Sequence, residues 1–149
     1  EYLVLFDIDC IPLNKTIVSE SIDWVKENNG ILGVAQKASH IPDSLIYVGP
    51  AFFCISRKTY EFMGRPTFDK NHRSDCGGEF SYIAEEKGVK LNFLYPTSVE
   101  VPKWDLNDKI KFGFGTNFEN KIYHAFESRF QNVGMFVKKC QEILISDEF

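Results

Sequence analysis

No stretch of this sequence stays apolar for the roughly 20 residues needed to cross a bilayer, and no basic segment followed by an apolar one opens it as a secretory signal would. It also lacks any dense lysine or arginine block. With 17 basic against 21 acidic side chains and a net charge of −4, it has no footprint for a phosphate backbone, which excludes nucleic acid as a partner. The four cysteines, at positions 10, 54, 76 and 140, form no CxxC pair. They read as free thiols of a reducing compartment, which points to the cytoplasm; two disulfides are formally open, but a chain 44% hydrophobic does not need them. Internal repeats and low-complexity tracts are absent. A length of 149 residues leaves room for one domain, residues 1–149, and not for two.

What is present is an alternation of short apolar strands with helices, which indicates an α/β or α+β fold. The run from Glu1 to Phe6 is dense in β-branched and aromatic residues and predicts a buried strand in the interior of a central sheet. A central strand as first element, with no initiating methionine, implies that a preceding portion is missing. Residues 16–28 predict a helix, stopped by Asn28, Asn29 and Gly30, and Ile31 to Ala35 follow as an apolar stretch. Leu45 to Ser56 predict a strand interrupted at Gly49-Pro50, and Arg57 to Met63 a helix. A second amphipathic helix opens at Asp75 to Glu79 and ends at Gly88; Lys90 to Tyr95 read as a strand, Phe112 to Thr116 as a close-packed glycine-rich turn, and Val133 to Leu144 as a terminal helix.

The chemistry begins at Asp7 and Asp9. Two carboxylates one residue apart at the end of an apolar strand repel one another and are costly to desolvate, so they are rarely there for stability alone. In extended backbone both would project to one face and converge on a cation. The same pair could instead cap backbone amides.

The stretch LVLFDIDCIPLN resembles the DxD segment of GT-A glycosyltransferases, in which an apolar strand delivers two acids to Mn2+ or Mg2+ bridging a nucleotide diphosphate. The resemblance continues in order along the chain. The segment from Tyr47 to Lys58 is similar to the small-residue turn and strand that line the sugar pocket, which implies substrate-binding roles for Gly49 and Pro50. Asp75-Cys76-Gly77-Gly78-Glu79 is similar to the acidic "GGE" helix start of those enzymes. Gly77 and Gly78 would let backbone amides approach a polar ligand, and Glu79, or failing it Asp75, would act as catalytic base. His124 has the placement of the histidine that completes the metal shell in several such families, although a lone histidine is as often structural. Arg129, shortly after it, could contact a phosphate or simply be solvated.

The resemblance therefore implies a GT-A-like mixed sheet flanked by helices, a partial domain on the metal and acceptor side. Its activity would be metal-dependent transfer from a nucleotide-sugar donor to a glycan or other hydroxyl acceptor. The nucleotide-binding βαβ unit that precedes the DxD strand in complete GT-A domains is lacking, and the face it would cover invites self-association. Two other readings stand beside this one. The first strand and its acids also resemble the opening motif of haloacid-dehalogenase-like phosphatases, a resemblance that requires a later lysine and acidic pair, but Cys10 and Ile11 depart from that pattern and no later acidic pair is evident. The other is a non-catalytic glycosyltransferase fragment serving as an interaction module. The catalytic reading requires Asp7 and Asp9 at the same sheet edge as Gly77 and Glu79, with His124 brought to them across more than a hundred positions. His40 and His72 receive no role.

Overall fold

The computed structural model describes residues 1–128 and 132–146. Its strands are β1 (Tyr2–Phe6), β2 (Cys10–Pro12), β3 (Ile31–Lys37), β4 (Ile46–Ser56), β5 (Leu91–Leu94), β6 (Pro96–Asp105), β7 (Lys111–Phe118) and β8 (Ile122–His124). The helices are α1 (Ile17–Asn28), α2 (Arg57–Phe62), α3 (Gly78–Lys87) and α4 (Val133–Ile145). This is a mixed α/β architecture. Its strands form two four-stranded sheets rather than the one central sheet expected. The first, in the order β1-β4-β3-β5, is antiparallel except for the β3–β5 pair; the second, β2-β8-β7-β6, is antiparallel throughout.

The local signals for helix ends act as expected. Asn29 takes the left-handed conformation, φ 49°, after α1, and Gly88, φ 67°, ends α3 with its N–H returned to Ala84 and Glu85. The Ser56 side chain accepts a hydrogen bond from the Thr59 N–H and caps α2.

Side-chain alternation along β3 and β4 builds two cores, one on each face of the first sheet. Leu32, Val34, Phe52 and Cys54 face one cluster, joined by Ile17 and Val25 of α1 and by Phe118 and Ile122 of the second sheet. Their neighbours Ile31, Phe53 and Ile55 face the other, with Met63 and with Phe80 and Ala84 of α3. The buried strand of the first sheet is thus β3, whose first six residues are all buried.

Among the described residues strand β1 is at the sheet edge, paired only with β4, and Tyr2, Leu3 and Phe6 remain 41%, 45% and 38% exposed. An apolar run states that a strand is hydrophobic, not how many neighbours it has, which is why the interior placement read from sequence was not met. Gly49-Pro50 does not interrupt β4 either. The register against β3 jumps from Gly33↔Phe53 to Val34↔Gly49, so the residues between bulge out of that ladder, where the absent N–H of Pro50 is tolerated. Phe52 pairs instead with Phe6, and Ala51 accepts the Asp7 N–H at 3.0 Å. The bulge is what steers the end of β1 into place. Phe112 to Thr116 is likewise no turn but part of β7, kinked at Gly115 (φ 69°).

Gly49 is buried beneath the Gln36 side chain, and a Cβ there would overlap the Gln36 amide. Gly49→Ala should therefore lower stability by about 2 kcal/mol through overpacking. A urea midpoint unchanged from wild type would show that Gln36 can move aside.

Candidate metal centre

Three segments meet where β1 ends. The Cys10 N–H donates to the Asp7 carbonyl at 3.0 Å, closing a turn over residues 7–10, and β2 starts at Cys10. The two acids therefore converge through a turn, not by strand alternation, with Ile8 between them 91% exposed at the tip. Strand β2 then pairs with β8 in the register Cys10↔His124, and the Ala125 N–H donates to the Asp9 carbonyl at 3.0 Å. This ladder brings together residues 115 positions apart.

His124 Nε2 is 2.9 Å from Asp9 Oδ1 and 3.7 Å from Asp7 Oδ2. One ligand atom from each of the three residues lies within 4.8 Å of the others. Asp9 and His124 are buried, whereas the Asp7 side chain is half exposed and opens the group to solvent. Burial alone would raise the Asp9 pKa. The hydrogen bond and charge of His124 and the Ser128 N–H, 3.2 Å from Oδ2, outweigh it and hold the carboxyl well below the usual carboxylate range.

His124 Nδ1 is buried and has no hydrogen-bond partner among the described residues, and the imidazole lies 3.8 Å from the Phe126 ring. Phe126 and the adjacent Glu127 both have left-handed backbone, φ 54° and 50°, a conformation costly for such residues and concentrated at functional sites. Two carboxylates and one imidazole suit Mn2+ well, and the carboxylates suit Mg2+. The cleft at this point, about 290 Å3, is also lined by Gln36, Glu127 and Ser128, and by no lysine or arginine among the described residues. The lysine that the phosphatase resemblance requires is thus not at the acids.

The other residues singled out in the sequence divide. Asp75 lines a second cleft of about 350 Å3 that shares Gln36, Phe126 and Glu127 with the first. Its neighbour Cys76 lines the same cleft, so this loop borders the residues that the second cleft shares with the first. Glu79, the first choice for a base, is already committed: Arg73 clasps both its oxygens and Asn71 donates at 2.7 Å. That pairing with Arg73 lowers its pKa, the opposite of what a proton acceptor needs.

Gly77 and Gly78 do not offer their amides to a ligand. The Gly77 N–H donates to Phe68 and the Gly78 N–H to Asp75, while Gly77 supplies the left-handed cap of α3 at φ 79° and Gly78 packs on Ser74 and Tyr47. Of the pair proposed to line the sugar pocket, Pro50 borders the second cleft and Gly49 is buried under Gln36. Arg129 lies outside the described residues. Sequence reasoning missed Gln36, Glu127 and Ser128, and nothing in HAFES signals a left-handed turn, which glycine or asparagine would have announced.

Arg73 also bonds Glu86 at 3.0 Å and lies over the Tyr82 ring, so it straps the loop carrying Asp75 to α3. In Arg73→Ala, amides of residues 71–77 should exchange with deuterium at least tenfold faster, while those of α3 keep their protection. Uniform loosening of both would assign Arg73 to the helix alone.

Comparison with protein-family models, with curated proteins and with solved structures returns no match. Among the described residues no helix is long and apolar enough to cross a membrane.

Proposed function

We propose that the chain is the metal-binding, acceptor-side part of a GT-A type glycosyltransferase, which moves a sugar from a nucleotide-sugar donor to an acceptor hydroxyl. The observation that carries this reading is the convergence of Asp7, Asp9 and His124 within 4.8 Å, at the end of an apolar strand and in an open cleft. Asp9 and His124 would form the buried side of a Mn2+ or Mg2+ shell and Asp7 the solvent side. When bound, the cation supplies Lewis-acid neutralisation of the leaving diphosphate.

The residues around it do the rest. Among the described residues Asp75, unlike Glu79, has no cationic partner, and it lines the adjoining cleft, so it would take the acceptor proton in an inverting transfer. In a retaining transfer the same carboxylate would only orient the acceptor. Four free cysteines, two of them buried as thiols, favour a reducing compartment, and we assign the protein to the cytoplasm.

Calorimetric titration of Mn2+ into wild type, Asp9→Ala and Asp7→Asn tests the centre. Weak binding by the wild type is expected, because part of the shell is left for the nucleotide, and both variants should lose at least tenfold in affinity. Asp7→Asn changes a half-exposed side chain and should fold normally, so equal affinity in that variant and in wild type would remove the metal from this site.

A further inference from the structure

We infer that Lys103 is a positioning residue of the metal centre: by clasping Glu127 it holds the turn after His124 in the arrangement that sets the Phe126 ring on His124 and the Ser128 N–H on Asp9. The inference rests on the reading of the triad as a cation site. The turn does not hold itself. Phe126 and Glu127 stand at φ 54° and 50°, which neither residue type favours, so contacts from outside the turn must enforce the conformation. At Phe126 the ring packs on Trp104 and Phe112, with centroids 5.5 and 5.8 Å away, and the carbonyl accepts from the Asn132 side chain at 3.3 Å. The Glu127 carboxylate has one partner among the described residues, Lys103, whose Nζ donates to both oxygens at 3.0 Å. Ser128 follows directly, and its N–H reaches Asp9 Oδ2 at 3.2 Å.

The fold places Lys103 for this contact. Strands β6 and β7 pair Pro102 with Gly113 and Trp104 with Phe112, which leaves Lys103 as the extra residue of a β-bulge, a device that re-aims a side chain. A Cβ on Gly113 would meet the Lys103 N at 2.7 Å, so the glycine opposite makes room for the bulge. The ammonium then lies over the rings of Trp104 and Phe114, 4.6 Å from each centroid, and is fixed there before Glu127 is considered. Lys103 lines neither cleft, so its route to the centre runs through Glu127. Both side chains are more than a third exposed, and such a pair contributes little to global stability. What it supplies is local order in a turn whose residues on either side of Glu127 touch two metal ligands.

Lys103→Met separates positioning from charge, because methionine keeps an apolar stem over the two rings and removes the ammonium. Through charge alone the variant should bind Mn2+ as tightly as wild type or more tightly, since a nearby cation is lost. Through positioning it should bind more weakly. Electron paramagnetic resonance of free Mn2+, titrated into the full chain at low ionic strength where an exposed pair is least screened, reads the difference. Lys103→Met should lose about fivefold in affinity or more, somewhat below the usual loss on removing a group bonded directly to a metal ligand. Lys103→Arg keeps a two-armed donor and should stay within about twofold of wild type. In the metal-free chain the Ser128 amide of Lys103→Met should exchange with deuterium roughly tenfold faster, with β8 and the urea midpoint close to wild type. Equal or tighter Mn2+ binding by Lys103→Met, or Lys103→Arg as weak as Lys103→Met, overturns the inference and leaves the metal site standing. If wild type binds no Mn2+, the metal reading falls and takes this role with it, and Ser128 exchange then reports only whether the clasp orders the turn.

Discussion

Replacing His124 with alanine should abolish measurable Mn2+ binding and, in the metal-free chain, lower stability by about 3 kcal/mol, the order of cost for leaving a buried carboxylate without its hydrogen-bond partner. Both effects come from the same contact. His124 is 3% exposed, and its Nε2 answers Asp9 Oδ1 at 2.9 Å. Without the imidazole, the buried Asp9 carboxylate keeps, among the described residues, only the Ser128 N–H. Asp7→Asn provides the contrast, because Asp7 is half exposed and its loss should weaken Mn2+ binding while leaving the urea midpoint near that of wild type. If His124→Ala and Asp7→Asn were equally stable, the His124–Asp9 pair would contribute nothing to the fold.

Acid should act through Asp9. Its folded pKa is depressed, so the stability it contributes is complete above the unfolded carboxyl pKa of about 3.9 and is lost as the pH falls from there towards the folded value. Asparagine cannot titrate. The difference in unfolding free energy between wild type and Asp9→Asn should therefore hold constant from pH 7 to pH 5 and shrink by pH 3. Urea titrations at those three values measure it. A difference that grows towards pH 3 would mean that burial dominates and that the carboxyl is neutral in the folded chain.

The ends of α1 and α3 were legible because they depend on a local rule, Asn29 and Gly88 in the left-handed region, whereas β3 showed in sequence only as the apolar stretch Ile31 to Ala35. Asp7 and Asp9 were legible as a pair, since their spacing alone raises the question of a cation. Their partner was visible only by resemblance. His124 reaches them through the β2–β8 ladder, and Cys10-Ile11-Pro12 reads in sequence as the end of a strand rather than the start of another. The roles of Gly77, Gly78 and Glu79 were misjudged for a related reason. Their composition suits a ligand site, but Phe68, Asp75 and Arg73, chosen by the tertiary fold, had already taken up their polar groups. The turn at Phe126 and Glu127 was invisible because neither residue favours it.

The β2–β8 ladder also sets a timetable. During synthesis the aspartates emerge as solvated carboxylates, while the strand that must receive them is still more than a hundred codons away. Hairpins β6–β7 and β7–β8 close over short spans and can form as soon as they exist, whereas docking β2 onto β8 requires closure of a loop of more than a hundred residues. Assembly of the centre therefore follows those hairpins rather than preceding them. A nascent chain halted before residue 124 would carry both acids and have no centre, so metal capture would report that translation and folding had both reached the final strand.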